Sequence, residues 1–369
     1  MDTKNLQALI SLYYCHGIGR EILKSLLPYF NALPLALMEA EDSELYAIEG
    51  VRKKLVEKLR SAPANLAAAA REIAFMEQNG IRMITFFDTD YPYRLKRCED
   101  APLFLFCKGS PDLNPRHALA IVGTRRATEQ GRDVCRQMIG ELAAYRPLIV
   151  SGMAAGIDIT AHKSALYARL PTVGVLGHGL DTLYPAQHKS IAKSMLEQQG
   201  GLLSEYRSQT RPDKGNFPER NRIIAGLCDA VIVIEAAEKG GAHITAELAS
   251  DYHREVFAVP GRPADEYSRG CNRLIRENKA SLVENAADVA RFMGWEQAQT
   301  PVAVQRKLLP ELSAEETRVA ELLLRKEQWH IDELMANTAF SPAKLSTLLL
   351  SMEMQGLVRS LPGKRYRMI

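Results

Sequence analysis

Seven short runs rich in β-branched and other apolar residues recur between about residues 71 and 292: MITFF, LAIVG, LIVSG, TVGVLG, LLSEY, AVIVIEA and EVFAVPG. Helical segments separate them. Strands that alternate with helices call for a parallel sheet with helices on both faces, because each crossover carries a helix back over the layer. The central region is therefore α/β and doubly wound. Several runs end on small residues, at Gly123, Ser151-Gly152, Gly177 with Gly179, and Gly261. In such folds the loops after the strands' carboxyl ends gather on one edge, so these turns are expected to converge on a cleft.

The flanks have a different pattern. Residues 1–70 show helical periodicity and two glycine-centred turns, His16-Gly17-Ile18-Gly19 and Ile48-Glu49-Gly50-Val51, each resembling half of a helix-hairpin-helix. Such glycines let helices meet tightly and can also present amides to a DNA phosphate; packing is the more economical reading. Residues 293–312 mix proline, glutamine and charge without periodicity, as a linker does. Residues 313–369 run helix, HIDELMAN, a Phe340-Ser341-Pro342 turn, AKLSTLLLSMEMQ and a two-stranded wing, which is a winged-helix order. Its expected recognition helix offers Lys344, Ser346, Thr347, Ser351 and Gln355 among many leucines and lacks the Arg and Asn typical of base-edge readout. Protein contact or packing is favoured there, with Lys364, Arg365 and Arg367 keeping a DNA role open.

A chain of 369 residues exceeds one ordinary domain. No apolar run approaches the roughly 20 residues that cross a membrane, and the N-terminus lacks a basic leader and cleavage site, so a cytoplasmic protein without membrane contact is expected. The six cysteines are scattered, with no zinc spacing, and read as reduced core thiols. A net charge of +3 does not by itself identify a nucleic-acid binder.

Cations, one ring and glycine turns are concentrated in a few places. After the strand 118–122, Gly123-Thr124-Arg125 precedes a helix whose start is marked by Thr128; the turn aims amides, a hydroxyl and a charged fork at an anion, or is an ordinary strand-to-helix turn. Ser151-Gly152 through Gly156 repeats the design with small residues, and Asp158 is expected to cap the following helix. His162 reads as a helix-face histidine. Phe217 lies between Lys214 and Arg220 in a Pro-, Gly- and Asn-rich stretch. It suits base stacking, or else anchors a loop under Pro218. A helix is expected to begin at Arg220-Asn221-Arg222, with Arg220 facing the ligand and Arg222 structural. The strand 230–235 ends at Gly240-Gly241, which opens another helix. No GxGxxG or Walker sequence is present, so dinucleotide and ATP binding lose support. No metal set and no nucleophile-base pair accompany these residues.

The ordered motifs GTR (123–125), SGMAAGID (151–158), GHGLDTLYP (177–185), LLSEY (202–206), FPERNRIIAGL (217–227) and VFAVPG (256–261) resemble the DprA/Smf family of DNA-processing proteins over about residues 80–285. The resemblance implies an extended Rossmann-like domain (71–292) between a helical SAM-like or helix-hairpin-helix domain and a winged helix. It implies a homodimer that binds single-stranded DNA in natural transformation and recombination, protects it and loads RecA. Single-strand-binding protein is a further candidate partner. No enzymatic activity and no cofactor are implied. By motif match the DNA-contacting residues are Gly123, Thr124, Arg125, Ser151, Gly152, Gly156, Lys214, Phe217, Arg220, Asn221, Gly240 and Gly241.

Two other readings compete. Gly240-Gly241 and Glu247 hold the spacing of the PGGxGTxxE turn of nucleotide phosphoribohydrolases of the lysine-decarboxylase-like group, although His243 and Ile244 replace its glycine and threonine. Alternatively the chain is an adaptor whose winged helix recruits a partner while the α/β part is scaffold.

Overall fold

The runs of β-branched residues form the centre of one sheet. The computed structural model describes residues 1–295, 312–326, 328–361 and 363–368. Among these, β1 (Ile81–Thr85), β2 (Phe104–Gly109), β3 (Ala118–Val122), β4 (Leu148–Ser151), β5 (Thr172–Val175), β6 (Gly201–Ser204), β7 (Ala230–Val233), β8 (Glu255–Ala258) and β9 (Ser281–Leu282) pair in the order β1-β2-β6-β5-β4-β3-β7-β8-β9. Every residue of β3, β4 and β7 is buried, as expected of central strands covered on both faces. Neighbours from β6 to β9 are parallel.

The sheet departs from the expected parallel pattern at one edge. β2 pairs antiparallel with both β6 and β1, through Phe106 opposite Ser204 and Met83 opposite Phe106. Neither β2 nor the two-residue β9 belongs to the seven runs. A short apolar stretch does not encode its own direction, and β2 is placed by packing.

The helical start is not separate from the sheet. The Leu66–Gln78 helix crosses residue 70 and leads into β1, and Leu9 and Leu12 share a core with Phe104 and Phe106. The rings of Tyr13 and Phe104 meet edge-on at 4.8 Å. Of the two glycine turns, Gly17 (φ +79°) precedes the Arg20–Leu26 helix and Gly50 (φ +84°) the Lys53–Arg60 helix. Lys58, on the second helix, donates to the Gly17 carbonyl at 3.3 Å, so one hairpin is tied to the other. This contact supports the packing reading.

The chain forms two compact units, Met1–Ala298 and Gln299–Ile369. Of the expected linker, Met293 ends the Ala286–Met293 helix and Trp295 lies 4.1 Å from the His117 ring, so these residues belong to the first unit. Residues 296–311 lie outside the described residues. All six cysteines are buried and unpaired. No helix among the described residues is long and apolar enough to cross a membrane.

In the second unit the helices Ala314–Leu323, Ile331–Thr338 and Pro342–Met354 pack on a sheet ordered β10-β12-β11: β10 (Trp329–His330), β11 (Val358–Leu361), β12 (Arg365–Met368). The wing thus has a third strand that the sequence reading lacked. Polar groups of the expected recognition helix are engaged within the unit: Lys344 pairs with Glu315, and Ser351 and Gln355 donate to Glu316. Leu350 and Met354 are left exposed on the helix.

Candidate nucleic-acid interface

The sheet order fixes the place of the site. From β3 the chain moves outward through β4, β5 and β6 on one side, whereas β7, β8 and β9 build the other. The order therefore reverses between β3 and β7, and a ligand crevice is expected at their carboxyl ends. A cleft of about 560 Å³ opens there. Residues after five strands line it, from β3 (Gly123, Thr124, Arg125), β4 (Ala154, Asp158), β5 (Tyr184), β6 (Lys214, Phe217, Arg220, Asn221) and β7 (Lys239, Gly240, Gly241).

Nine of the twelve expected residues line the cleft. The other three, Ser151, Gly152 and Gly156, lie behind it and hold its wall. The buried Ser151 hydroxyl donates to the Ile121 carbonyl at 2.6 Å. Gly156 has φ +81°, and a Cβ there would come within 2.2 Å of the Thr124 carbonyl oxygen, so the 124–125 backbone rests directly on this glycine. The Gly152 amide is occupied by Asp158.

Asp158 corrects an expectation. It is the second residue of the Ile157–Tyr167 helix, whose N-cap is Gly156 without a side-chain bond. Its carboxylate instead accepts from the amides of Gly152 (3.2 Å) and Ala154 (3.4 Å), stapling the preceding loop. Burial pushes the Asp158 carboxyl above its ordinary range, against the opposing pull of Arg220 and these two amides.

Arg220 does line the cleft, yet it is 4% exposed, and its guanidinium donates to the carbonyls of Gly152 (2.6 Å) and Val175. Burial lowers it to about 10 while Asp158 pulls the other way. It ties the loop after β4 to the end of β5. Arg222 is structural as expected, paired with Glu205 and donating to the Asp100 carbonyl at 2.5 Å. Asn221 donates to the Gly241 carbonyl at 3.2 Å and so fixes one glycine turn against another element.

The helix carrying these residues is Asn216–Gly226, four residues longer at its start than expected. Pro218 falls in its first turn, where a missing N–H costs nothing, so the Pro-rich stretch is compatible with helix. Phe217 is consequently half-buried on a rigid first turn. The Arg125 guanidinium lies 5.3 Å from its ring centroid, and the Tyr184 ring stacks near it at 6.0 Å. Tyr184 was missed because its motif suggests a turn and the ring pairing spans distant segments.

Exposed cations line the same cleft as this ring: Arg125, Lys214 and Lys239. The Gly241–Asp251 helix opens at Gly240 on the same cleft, and its first amides have no intrahelical acceptor. The Thr124 amide is not available, since it donates to the Glu235 carbonyl at 2.7 Å. Thr128 caps the Glu129–Leu142 helix as expected. His162 is a buried core residue, its Nδ1 2.7 Å from the Thr172 hydroxyl, and burial lowers its pKa to about 3. Glu247, the residue that kept the phosphoribohydrolase spacing, points to Lys279 (3.3 Å) and His243 (3.5 Å) and does not line the cleft. Among the described residues no cluster of potential metal ligands occurs.

A cation-lined crevice at the switch point of a doubly wound sheet, followed in the chain by a winged helix, is the architecture to compare with known proteins. Residues 82–294 match the family model of DNA recombination-mediator protein A, and residues 304–364 match that of the DprA winged helix domain. Protein Smf of Synechocystis is 33% identical over 95% of this chain and 96% of its own, and the DNA processing protein DprA of Streptococcus pneumoniae is 42% identical over 56% and 72%. Among solved structures, that pneumococcal DprA superposes with a TM-score of 0.63 at 33% identity, covering 79% of this chain and 99% of its own. The DNA processing protein A of Helicobacter pylori, whose structure reports a single-stranded DNA binding mode, gives 0.52 at 30% identity, covering 58% and 95%. The chain belongs to the DprA/Smf family of DNA-processing proteins.

Proposed function

We propose that the cleft binds single-stranded DNA non-covalently, with Arg125, Lys214 and Lys239 on phosphates and Phe217 under a base. The observation that carries this reading is the joint presence of ring and charge: Arg125 sits over Phe217, and Lys214 lines the same crevice. Cations alone would suit any anion; an accessible ring among them suits an unpaired base. The likeness to the H. pylori protein supports the same ligand. Gly240 and Gly241 contribute helix-terminal amides. Gly123, Thr124, Ser151, Gly152, Gly156, Arg220 and Asn221 shape the wall that presents these groups. In this reading the protein grips the strand without cleaving it, acts in the cytoplasm as a homodimer during transformation and recombination, and hands the strand to RecA, with single-strand-binding protein as a further partner.

Fluorescence anisotropy with single-stranded and duplex oligonucleotides at several salt concentrations tests the reading. Affinity for the single strand should fall with salt at a log slope of about 0.7 per neutralised phosphate. Arg125→Ala or Lys214→Ala should flatten that slope. Phe217→Ala should weaken binding by roughly 1–3 kcal/mol and leave the slope unchanged. Equal affinity for duplex and single strand, or a Phe217→Ala variant as tight as the parent, would overturn it.

A further inference from the structure

We propose that Tyr184 is a second base-stacking platform, receiving the nucleotide adjacent to the one on Phe217. This rests on the single-stranded DNA reading and deepens it, giving the cleft two consecutive bases to hold instead of one.

Three observations carry the inference. Tyr184 lines the cleft, 52% exposed, with its ring 6.0 Å from that of Phe217 and inclined by 29°. That separation lies within the range of offset stacking, so the two rings are already in line. Successive bases stack about 3.4 Å apart in a helical strand and lie further apart when splayed, so a 6.0 Å step suits two neighbouring bases, one on each ring.

The second observation concerns support. Tyr184 follows β5 whereas Phe217 is in the first turn of the helix after β6, so two separate parts of the scaffold hold the rings. The Tyr184 amide donates to Nε2 of the buried His178 at 3.3 Å, and the other ring nitrogen of His178 lies 2.9 Å from the Gly179 carbonyl, to which it donates. The Gly179 carbonyl places the proton on Nδ1 and leaves Nε2 as the acceptor, and burial lowers the His178 pKa in the same direction. The backbone that carries the ring is thus fixed before binding, which limits the freedom lost when a base arrives.

Third, the hydroxyl of Tyr184 makes no hydrogen bond to any described residue, so the side chain is not anchored by its polar end. Tyr29 and Tyr167 are more exposed, but neither lines the cleft nor meets another ring among the described residues. Scattered exposed rings are ordinary on protein surfaces; an exposed ring aligned with a second one inside a cationic cleft is not.

The test is anisotropy with labelled oligo(dT), using the full chain and its Tyr184→Phe, Tyr184→Ala and Tyr184→Trp variants. Tyr184→Phe should bind within about twofold of the parent. Tyr184→Ala should bind roughly 5- to 150-fold more weakly, the loss of one stacked base, at an unchanged salt slope. Tyr184→Trp should bind and gain an indole emission that oligo(dT) quenches. A Tyr184→Ala variant that binds as tightly as the parent while Phe217→Ala is weakened would overturn the assignment, as would an added indole emission in Tyr184→Trp that is indifferent to DNA. Failure of the parent itself to bind oligo(dT) would bring down the polynucleotide reading beneath it, a result distinct from either.

Discussion

Replacing Arg220 by Met separates a residue that grips ligand from one that builds the wall. The structure places the guanidinium on the Gly152 and Val175 carbonyls, and its charge beside the buried Asp158. Methionine fills much of the same volume, so the cavity term is small. Two buried carbonyls lose a charged donor, at roughly 1–3 kcal/mol each, and Asp158 loses the positive charge that favours its ionised form. Breaking a buried charge arrangement from one side costs about 3–5 kcal/mol in total. Arg220→Lys keeps the charge on a single point donor and should recover part of this. Arg220→Met with Asp158→Asn should also recover part, because no carboxylate is then stranded. Urea unfolding in a Trp329→Phe background, followed through Trp295, reads the stability of the first unit. Oligonucleotide anisotropy on the folded variants reads binding. If Arg220→Met loses less than about 1 kcal/mol yet abolishes binding, the residue acts on the ligand and the wall argument is wrong.

Two further outcomes follow from the same geometry. Gly156→Ala should destabilise by about 1–3 kcal/mol from its positive φ alone and should weaken DNA binding as the methyl displaces the 124–125 backbone; Gly140→Ala, in the last turn of the Glu129–Leu142 helix with open space around it, should stabilise by up to about 0.5 kcal/mol. Unfolding midpoints and anisotropy of both variants check this pair. His162 has its pKa depressed to about 3 in the folded state, so the unfolded chain takes up a proton there that the native state refuses. Its contribution to stability is therefore complete above about pH 6.5 and lost as pH falls towards 3, at about 1.4 kcal/mol per unit. Between about pH 6.5 and 5, His162→Gln should lose roughly 2 kcal/mol less stability than the parent in urea melts; parallel pH profiles would refute the assignment.

Local chemistry explains which parts of this architecture could be read from the chain. The central strands announce themselves because a strand buried on both faces must be apolar at every position, as β3 and β7 are. The glycine turns at their ends are equally legible, and nine of the twelve residues expected at the site do meet in one cleft. What was not legible depends on partners far away in the chain. Nothing in Phe104–Gly109 states that it runs antiparallel between β1 and β6. Asp158 resembles a helix cap until the loop folds back and offers it two amides, and Arg220 resembles a ligand group until the carbonyls of Gly152 and Val175 claim it.

These displacements share a direction. The residues that sequence reading placed on the ligand and the structure places behind it are small, or buried and bonded to backbone carbonyls: Ser151, Gly152, Gly156 and, in large part, Arg220. Those that remain free to act are exposed cations and rings on the rim, Arg125, Lys214, Lys239, Phe217 and Tyr184. A motif thus contains both the grip and the frame that aims it, and motif identity alone does not distinguish the two. Solvent exposure does, because a group already satisfied by buried backbone must give up those bonds to reach a phosphate, whereas a rim cation exchanges only water. Mutations of the frame should therefore appear first in unfolding curves, and mutations of the rim in the salt dependence or the stacking contribution to affinity. An Arg125→Ala variant that destabilised the fold as strongly as Arg220→Met would break that division.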